Sequence, residues 1–294
     1  MITFVSTINF IHNYKEDTIS KVISHLKDDY NIEISSGHKY EKLPDDVIDD
    51  LSSWEKKYDK KILLHNFSPP DETNLLINLS NEENIDNVKK FIKKRIDYTK
   101  KLGMDYYSFH AGYRVNFKFG VKKYKNILSK NNAMDFFLEE LKDVLNYAER
   151  KNIKIGIENH VVEKQNKNYL LFGDKKDFQI LFDNLKSRYL YLHLDFGHLN
   201  VSSKTLGFNK EDFVEEFSDK ILAVHMNENN GLKDEHKHIR KDSWFLDLLK
   251  KIPNLEYCIL ETKTKNRKEI KEMIEIIEKH KNIYKYGKNV SSKK

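Results

Sequence analysis

Short apolar runs alternate with longer amphipathic stretches along all 294 residues of this chain. Met1–Ser6 is apolar and β-branched and reads as a strand; Glu16–Asp29 then places Ile19, Val22, Ile23 and Leu26 at helical spacing. A run ending Ile32-Glu33-Ile34 precedes an amphipathic stretch over Asp45–Tyr58, and Lys61–Leu64 runs into His65 with Pro69-Pro70 as loop punctuation. Ile85–Leu102 predicts a helix closed by Gly103. Tyr106–Phe109 leads to His110, Ala133–Arg150 is helical, and Ile153–Ile157 leads to Glu158. The pattern repeats with a helix from Asp174, a strand Tyr189–Leu194 ending on Asp195, and a helix from Asn209 or Glu211 to Phe217. Ile221–Val224 ends on His225, Asp242–Leu249 is helical, Tyr257–Leu260 ends on Glu261, and a last helix spans Arg267–Lys281.

Eight strand–helix alternations imply a parallel sheet. Eight such units in a chain of this length predict a single-domain α/β fold, a (β/α)8 TIM barrel, over residues 1–286. A doubly wound open sheet is the alternative, but no Gly-rich phosphate loop follows the first strand. The Lys/Ser-rich end, residues 287–294, reads as a disordered tail.

Composition narrows the class. The single cysteine, Cys258, sits in an apolar run, excludes an intramolecular disulfide and fits a reducing compartment. No apolar stretch has the length of a membrane span, and the N-terminus lacks a signal-peptide pattern, so a cytoplasmic protein is expected. The net charge of +6 comes almost entirely from lysines on polar helix faces; only six residues are arginine. That is a weak footprint for nucleic acid.

The chemistry gathers where strands stop. In a barrel of this kind the active site lies at the C-terminal strand ends, and those ends read Glu33, His65, His110, Glu158, Asp195, His225 and Glu261. His, Asp and Glu make up 58 of the 294 residues, about one in five, so seven in succession point to a shared purpose. Buried carboxylates and imidazoles packed together are costly unless a cation offsets them. Glu158, Asp195, His225 and Glu261 suit Mn²⁺, Mg²⁺, Co²⁺ or Zn²⁺. Adding His65, His110, His198, Asp234 and His236 makes a nitrogen-richer set that leans toward zinc and toward more than one ion.

The strand ends GIENH, LHLDFGH, VHMNENNGLKDEH and ILET resemble the xylose isomerase-like TIM-barrel superfamily, in order along nearly the whole chain. That superfamily holds sugar isomerases and epimerases and the endonuclease IV group. The epimerase-like resemblance implies one divalent ion held by Glu158, Asp195, His225 and Glu261. Glu158 and Glu261 would be the catalytic acid–base pair that moves a proton between adjacent carbons, with His198 on a substrate oxygen. The endonuclease IV resemblance implies up to three Zn²⁺ on all nine positions, and a water activated against a phosphodiester. Asp234-Glu235-His236 matches its Asp-x-His element; LDFGHLN lacks its Thr-Cys pair, and the loop after His225 lacks its Asp-Ser-Lys run.

With so few arginines for a phosphate backbone, the first expectation is a metal-dependent isomerase or epimerase of a small sugar or sugar phosphate. A zinc phosphodiesterase with DNA as partner comes second, and a barrel that binds sugar or metal without turnover third. Glu33 is read as a substrate contact or a lysine's partner, and His160 as a substrate contact or a locally bonded loop residue. His193 is expected to line the barrel below the metal, and His238 to be solvated. His12, His25, His38 and His280 fall outside the pattern; Tyr106, Tyr107, Trp54 and Trp244 are read as packing residues. Arg114 and the lysines of 118–130 lie on the mouth side as a solvated loop or a phosphate contact.

Overall fold

The computed structural model describes residues 1–8, 19–26, 29–35, 44–66, 77–110, 112–115, 124, 126–264 and 266–291, with backbone alone at His25 and 281–291. His12, His38, Pro69-Pro70 and most of the 118–125 stretch lie outside the described residues. Eight parallel strands close into a barrel in chain order: β1 (Ile2–Ser6), β2 (Asn31–Ile34), β3 (Ile62–His65), β4 (Tyr106–Phe109), β5 (Lys154–Glu158), β6 (Leu190–Asp195), β7 (Ile221–Met226) and β8 (Tyr257–Leu260). β8 pairs with β1 from Tyr257 opposite Ile2 to Leu260 opposite Val5, which removes both sheet edges. The helices are α1 (Ile19–Leu26), α2 (Pro44–Tyr58), α3 (Ile85–Lys101), α4 (Lys130–Lys151), α5 (Lys175–Asn184), α6 (Phe196–Leu206), α7 (Lys210–Glu216) and α8 (Arg267–Ser291).

Side-chain alternation along each strand decides what faces the barrel axis. Ile32 and Ile34, Ile155 and Ile157, Leu192 and Leu194, Val224 and Met226, and Cys258 and Leu260 point outward into the core shared with the helices. Burying one such side chain contributes about 1.5–3 kcal/mol. The residues between them point inward. Phe4, Leu63, Tyr106, Ala223, Tyr257 and Ile259 form a separate cluster that plugs the lower barrel, where the Tyr106 and Tyr257 rings stack at 5.2 Å. Above that plug the same inward parity brings up Glu33, His65, Ser108, Glu158, His193, Asp195 and His225.

Two connections differ from the sequence reading. The segment 196–206 forms α6 directly after β6, because the Asp195 carboxylate caps it by accepting from His198 N at 2.7 Å. Asp242–Leu249, expected as a helix, is a series of turns ending in a 3-10 turn at Leu248–Lys251. Its apolar residues Phe245 and Trp244 pack against Phe196 instead, and over so short a stretch tertiary packing outweighs helical propensity. The last helix also runs through Gly287, where the sequence suggested a tail, to Ser291. One glycine costs about 1 kcal/mol in a helix interior, too little to end it. Among the described residues no helix is long and apolar enough to cross a membrane.

On the mouth side, the loops after β4 and β5 pair with each other. Arg114 N donates to Tyr169 O and Leu171 N to Gly112 O, both at 2.8 Å. Arg114 turns its Nε to Leu128 O, and Lys130 pairs with Asp174 and Asp177, so both serve the structure.

Gly156 faces the interior, where a Cβ would lie 1.9 Å from Tyr106 Oη. Gly156→Ala is therefore expected to destabilise the protein by about 1–3 kcal/mol through overpacking. Urea denaturation measures this, and an unchanged midpoint would mean that Tyr106 is free to move aside.

Candidate metal centre

Six of the eight strand ends bring His65, His110, Glu158, Asp195, His225 and Glu261 together at the barrel mouth, and the loop after β7 adds Asp234 and His236. The central group is Glu158, Asp195, His225 and Glu261, whose ligand atoms all lie within 4.8 Å of one another. His225 Nδ1 stands 3.0 Å from Glu158 Oε1, 3.1 Å from Glu261 Oε2 and 3.7 Å from Asp195 Oδ2. A tetrahedral ion with bonds of about 2.0–2.1 Å requires ligand atoms roughly 3.3 Å apart, so this spacing suits one. Two further groups flank it. His65 Nε2 and His110 Nε2 approach Glu158 Oε2 at 2.9 and 3.0 Å. His198 Nε2 and His236 Nε2 approach Asp234 Oδ2 at 3.5 and 2.8 Å. All nine metal-ligand candidates of the sequence reading therefore meet, in three sets joined through Glu158 and its neighbours.

The nitrogens that face away are held too, which is how metal-binding histidines are commonly oriented. His198 Nδ1–H donates to Asn159 O at 2.9 Å, and His236 Nδ1–H to Glu261 O at 3.1 Å. His65 Nδ1 lies 3.0 Å from Ser108 Oγ, while its inward Nε2, beside Glu158, also has Asn66 Nδ2 at 2.7 Å. His225 turns Nε2 to both oxygens of Glu33 at 3.1 Å. Asp195 is fixed by Asn227 Nδ2 at 3.0 Å and, through its backbone, by Asn159 Oδ1 at 2.7 Å. Three carboxylates and an imidazole at the centre, with imidazole-rich sets on either side and the rings of His65, His198, His225 and His236 tethered, fit divalent cations; among the described residues the buried Nδ1 of His110 has no partner.

The remaining candidates divide. His160 lines the chamber: its Nδ1–H donates to Leu171 O at 2.8 Å, its ring stacks on His110 at 4.9 Å, and its buried Nε2 has no partner among the described residues. Glu33 is not on the chamber wall and, among the described residues, pairs with no lysine; it lies behind His225. His193 sits below the centre, 4.1 Å ring to ring from His225 and 3.1 Å from Tyr106 Oη, so Tyr106 has a polar partner as well as a packing role. His238, half-buried, reaches Lys263 O. The chamber has a volume of about 330 Å³ and is walled on its outer side by Tyr113, His160, Asn166 and Tyr169. Among its described lining residues there is neither lysine nor arginine.

Charge is tightly coupled here. Burial alone would raise the Glu158 carboxyl, but the rings of His110, His65 and His225 hold it well below the usual range. Burial likewise opposes the charged His236 ring, yet the Asp234 hydrogen bond and the Glu261 charge lift it to about 9. His198, beside Asp195 and Asp234, is also raised well above the ordinary value despite its burial. Burial, opposed by His198 and reinforced by Glu261, pushes Asp195 to about 7. His160 goes the other way, to about 3, through burial and its neighbour His110.

Residues 20–280 match the family model described as xylose isomerase-like TIM barrel. The chain belongs to that family. Two uncharacterized proteins of Methanocaldococcus jannaschii are relatives. MJ1614 is 30% identical over 71% of this chain and 74% of its own length; MJ1311 is 24% identical over 93% and 89%. Among solved structures, a D-tagatose 3-epimerase-like protein superposes with a TM-score of 0.73 at 21% identity, covering 98% of this chain and 99% of its own. The IolI protein with a bound zinc atom gives 0.66 at 17% identity, over 97% and 98%. A Methylomonas D-allulose 3-epimerase in complex with D-allulose gives 0.63 at 16% identity, over 89% and 84%. At these identities the likeness is one of fold.

Asn159, Asn227 and Ser108, which brace this xylose isomerase-like centre, were not singled out from the sequence. Their signal was position: Asn159 follows Glu158, Asn227 stands two after His225, and Ser108 two before His110.

The raised His236 and His198 values set a pH dependence. Protons bound in the folded but not the unfolded state stabilise the ion-free protein fully below about pH 6.5, and that contribution fades as pH rises through about 9. Chelator-treated protein is expected to lose unfolding free energy between pH 6.5 and 9, and zinc uptake at pH 7.5 in weak buffer to release protons. A flat urea midpoint across that window, with no proton release, would show that these rings carry no such charge.

Proposed function

We propose that the protein is a divalent-metal-dependent isomerase or epimerase of a sugar or sugar phosphate. The observation that carries this reading is the central group, in which Glu158 and Glu261 reach the same His225 nitrogen from strands three apart around the barrel. A cation held by Glu158, Asp195, His225 and Glu261 would polarise a substrate carbonyl and hydroxyl. The side chains then divide the proton work. One of the two glutamates takes a proton from a carbon beside the carbonyl through a carboxylate oxygen, and the other returns one to the adjacent carbon or to the opposite face. His198 and His160 border the chamber beside them, and His160 Nε2 is placed to accept a hydrogen bond from a substrate hydroxyl. The paired loops carrying Tyr113 and Tyr169 restrict water on that side. The fold shared with epimerases, one holding D-allulose, and with zinc-containing IolI supports the same class.

A second reading rests on one specific feature: the His65/His110/Glu158 and His198/Asp234/His236 groups on either side of the centre. Filled with zinc, the three sets would suit a phosphodiesterase acting on DNA at an abasic site. Counting ions in protein purified without chelators, alongside turnover of a panel of ketoses and an abasic-site duplex, separates the two. About one ion per chain with ketose turnover is expected; two or three zinc ions with duplex cleavage would replace the first reading by the second. Binding of sugar with no turnover under any ion would leave a non-catalytic barrel. In the enzyme, Glu261→Gln is expected to lower kcat/KM about 10²–10⁴-fold, and unchanged kinetics would remove Glu261 from the proton path.

A further inference from the structure

Glu33 enters the barrel from β2, is 1% exposed, and directs both carboxylate oxygens at a single atom, Nε2 of His225, 3.1 Å from each. Among the described residues no lysine or arginine pairs with it, so its charge is balanced within the histidine cluster. A buried carboxylate with one partner is costly, and an apolar side chain of that size would fill the same space more cheaply. Its presence therefore has to be explained by what it does to that ring.

We infer that Glu33 is a positioning residue that sets the tautomer of His225 for ion binding. This rests on the reading of the central group as a metal site. A neutral imidazole has one N–H and one lone pair. With Nε2–H donated to Glu33, the lone pair is on Nδ1, the nitrogen that stands 3.0–3.7 Å from the oxygens of Glu158, Glu261 and Asp195. Without Glu33, the favourable arrangement reverses: Nδ1–H would donate to Glu158 or Glu261, and the lone pair would face the barrel floor. The His193 ring, 4.1 Å away and steeply tilted, keeps the imidazole from turning to escape this choice. The other tethered rings use neutral acceptors: backbone carbonyls for His198 and His236, and a serine hydroxyl beside His65. Among these tethered rings His225 alone hydrogen-bonds its outer nitrogen to a carboxylate, the carboxylates nearest the outer nitrogens of His198 and His236 lying 3.6 and 3.8 Å off, and that makes the His225 ring the strongest imidazole donor of the four.

The test measures ion affinity and fold stability rather than turnover. Glu33→Met removes the acceptor and Glu33→Gln removes only the charge; zinc affinity is read by competition with a chromogenic chelator. Both variants are expected to hold the tightest ion about 10–100-fold more weakly, Glu33→Met more so, while chelator-treated protein unfolds at a urea midpoint close to that of the parent. Affinity within twofold of the parent in both, whatever happens to stability, overturns the inference and leaves the metal site standing. If the parent protein itself takes up no ion, the metal-site reading falls and the inference with it. Should Glu33→Met fail to fold, Glu33→Gln, which preserves the volume, decides alone.

Discussion

Four buried carboxylates packed around one histidine cluster are the constraint on which this molecule turns. Glu33, Glu158, Asp195 and Glu261 are each at most 4% exposed, and among the described residues their ion-pair partners are histidines only. Histidine can balance such charge by taking up protons, which is the state the raised His225, His198 and His236 values describe. A divalent cation balances it more completely, since neutral imidazoles and ionised carboxylates then all face one positive centre. The tethering of His65, His198, His225 and His236 by outer partners is what that second state would require, because a mere charge network does not need its lone pairs aimed.

The barrel supplies the aim. Period-two alternation in parallel strands points Glu33, His65, Glu158, His193, Asp195 and His225 at the axis, and the apolar plug of Phe4, Leu63, Tyr106 and Tyr257 below keeps the chamber shallow. Strand ends then pass at once into rigid features. Asp195 is a candidate ligand with one oxygen and the N-cap of α6 with the other, so the helix itself holds the carboxylate. Gly197 permits this, because a Cβ there would lie 1.9 Å from Asn227 Oδ1, and Asn227 is the residue that steadies Asp195.

Function is grafted on this frame rather than dictated by it. The solved structures it resembles share the fold, and the isomerase and phosphodiesterase readings share Glu158, Asp195, His225 and Glu261. What separates them is whether the flanking histidine sets carry ions or protons, and that depends on affinities which differ by the partners behind each ring. The outer wall of Tyr113, His160 and Tyr169, with its one free imidazole acceptor, suits a hydroxylated ligand.

The sequence by itself determined the eight-fold strand–helix alternation and the acidic and imidazole residues that end the strands. Both follow from local rules: hydrophobic periodicity sets the elements, and strand parity carries Glu33, His65, His110, Glu158, Asp195, His225 and Glu261 to one side. It did not determine how those residues divide into groups, that Glu33 serves His225 instead of the chamber, or that Asn159, Asn227 and Ser108 brace the ligands. It also misread Asp242–Leu249, whose aromatic residues are claimed by Phe196 across the loop. Those outcomes depend on contacts between residues tens to nearly two hundred positions apart, Glu33 and His225 being the extreme. Only closure of the barrel brings such pairs within hydrogen-bonding distance, so only the tertiary structure could decide them.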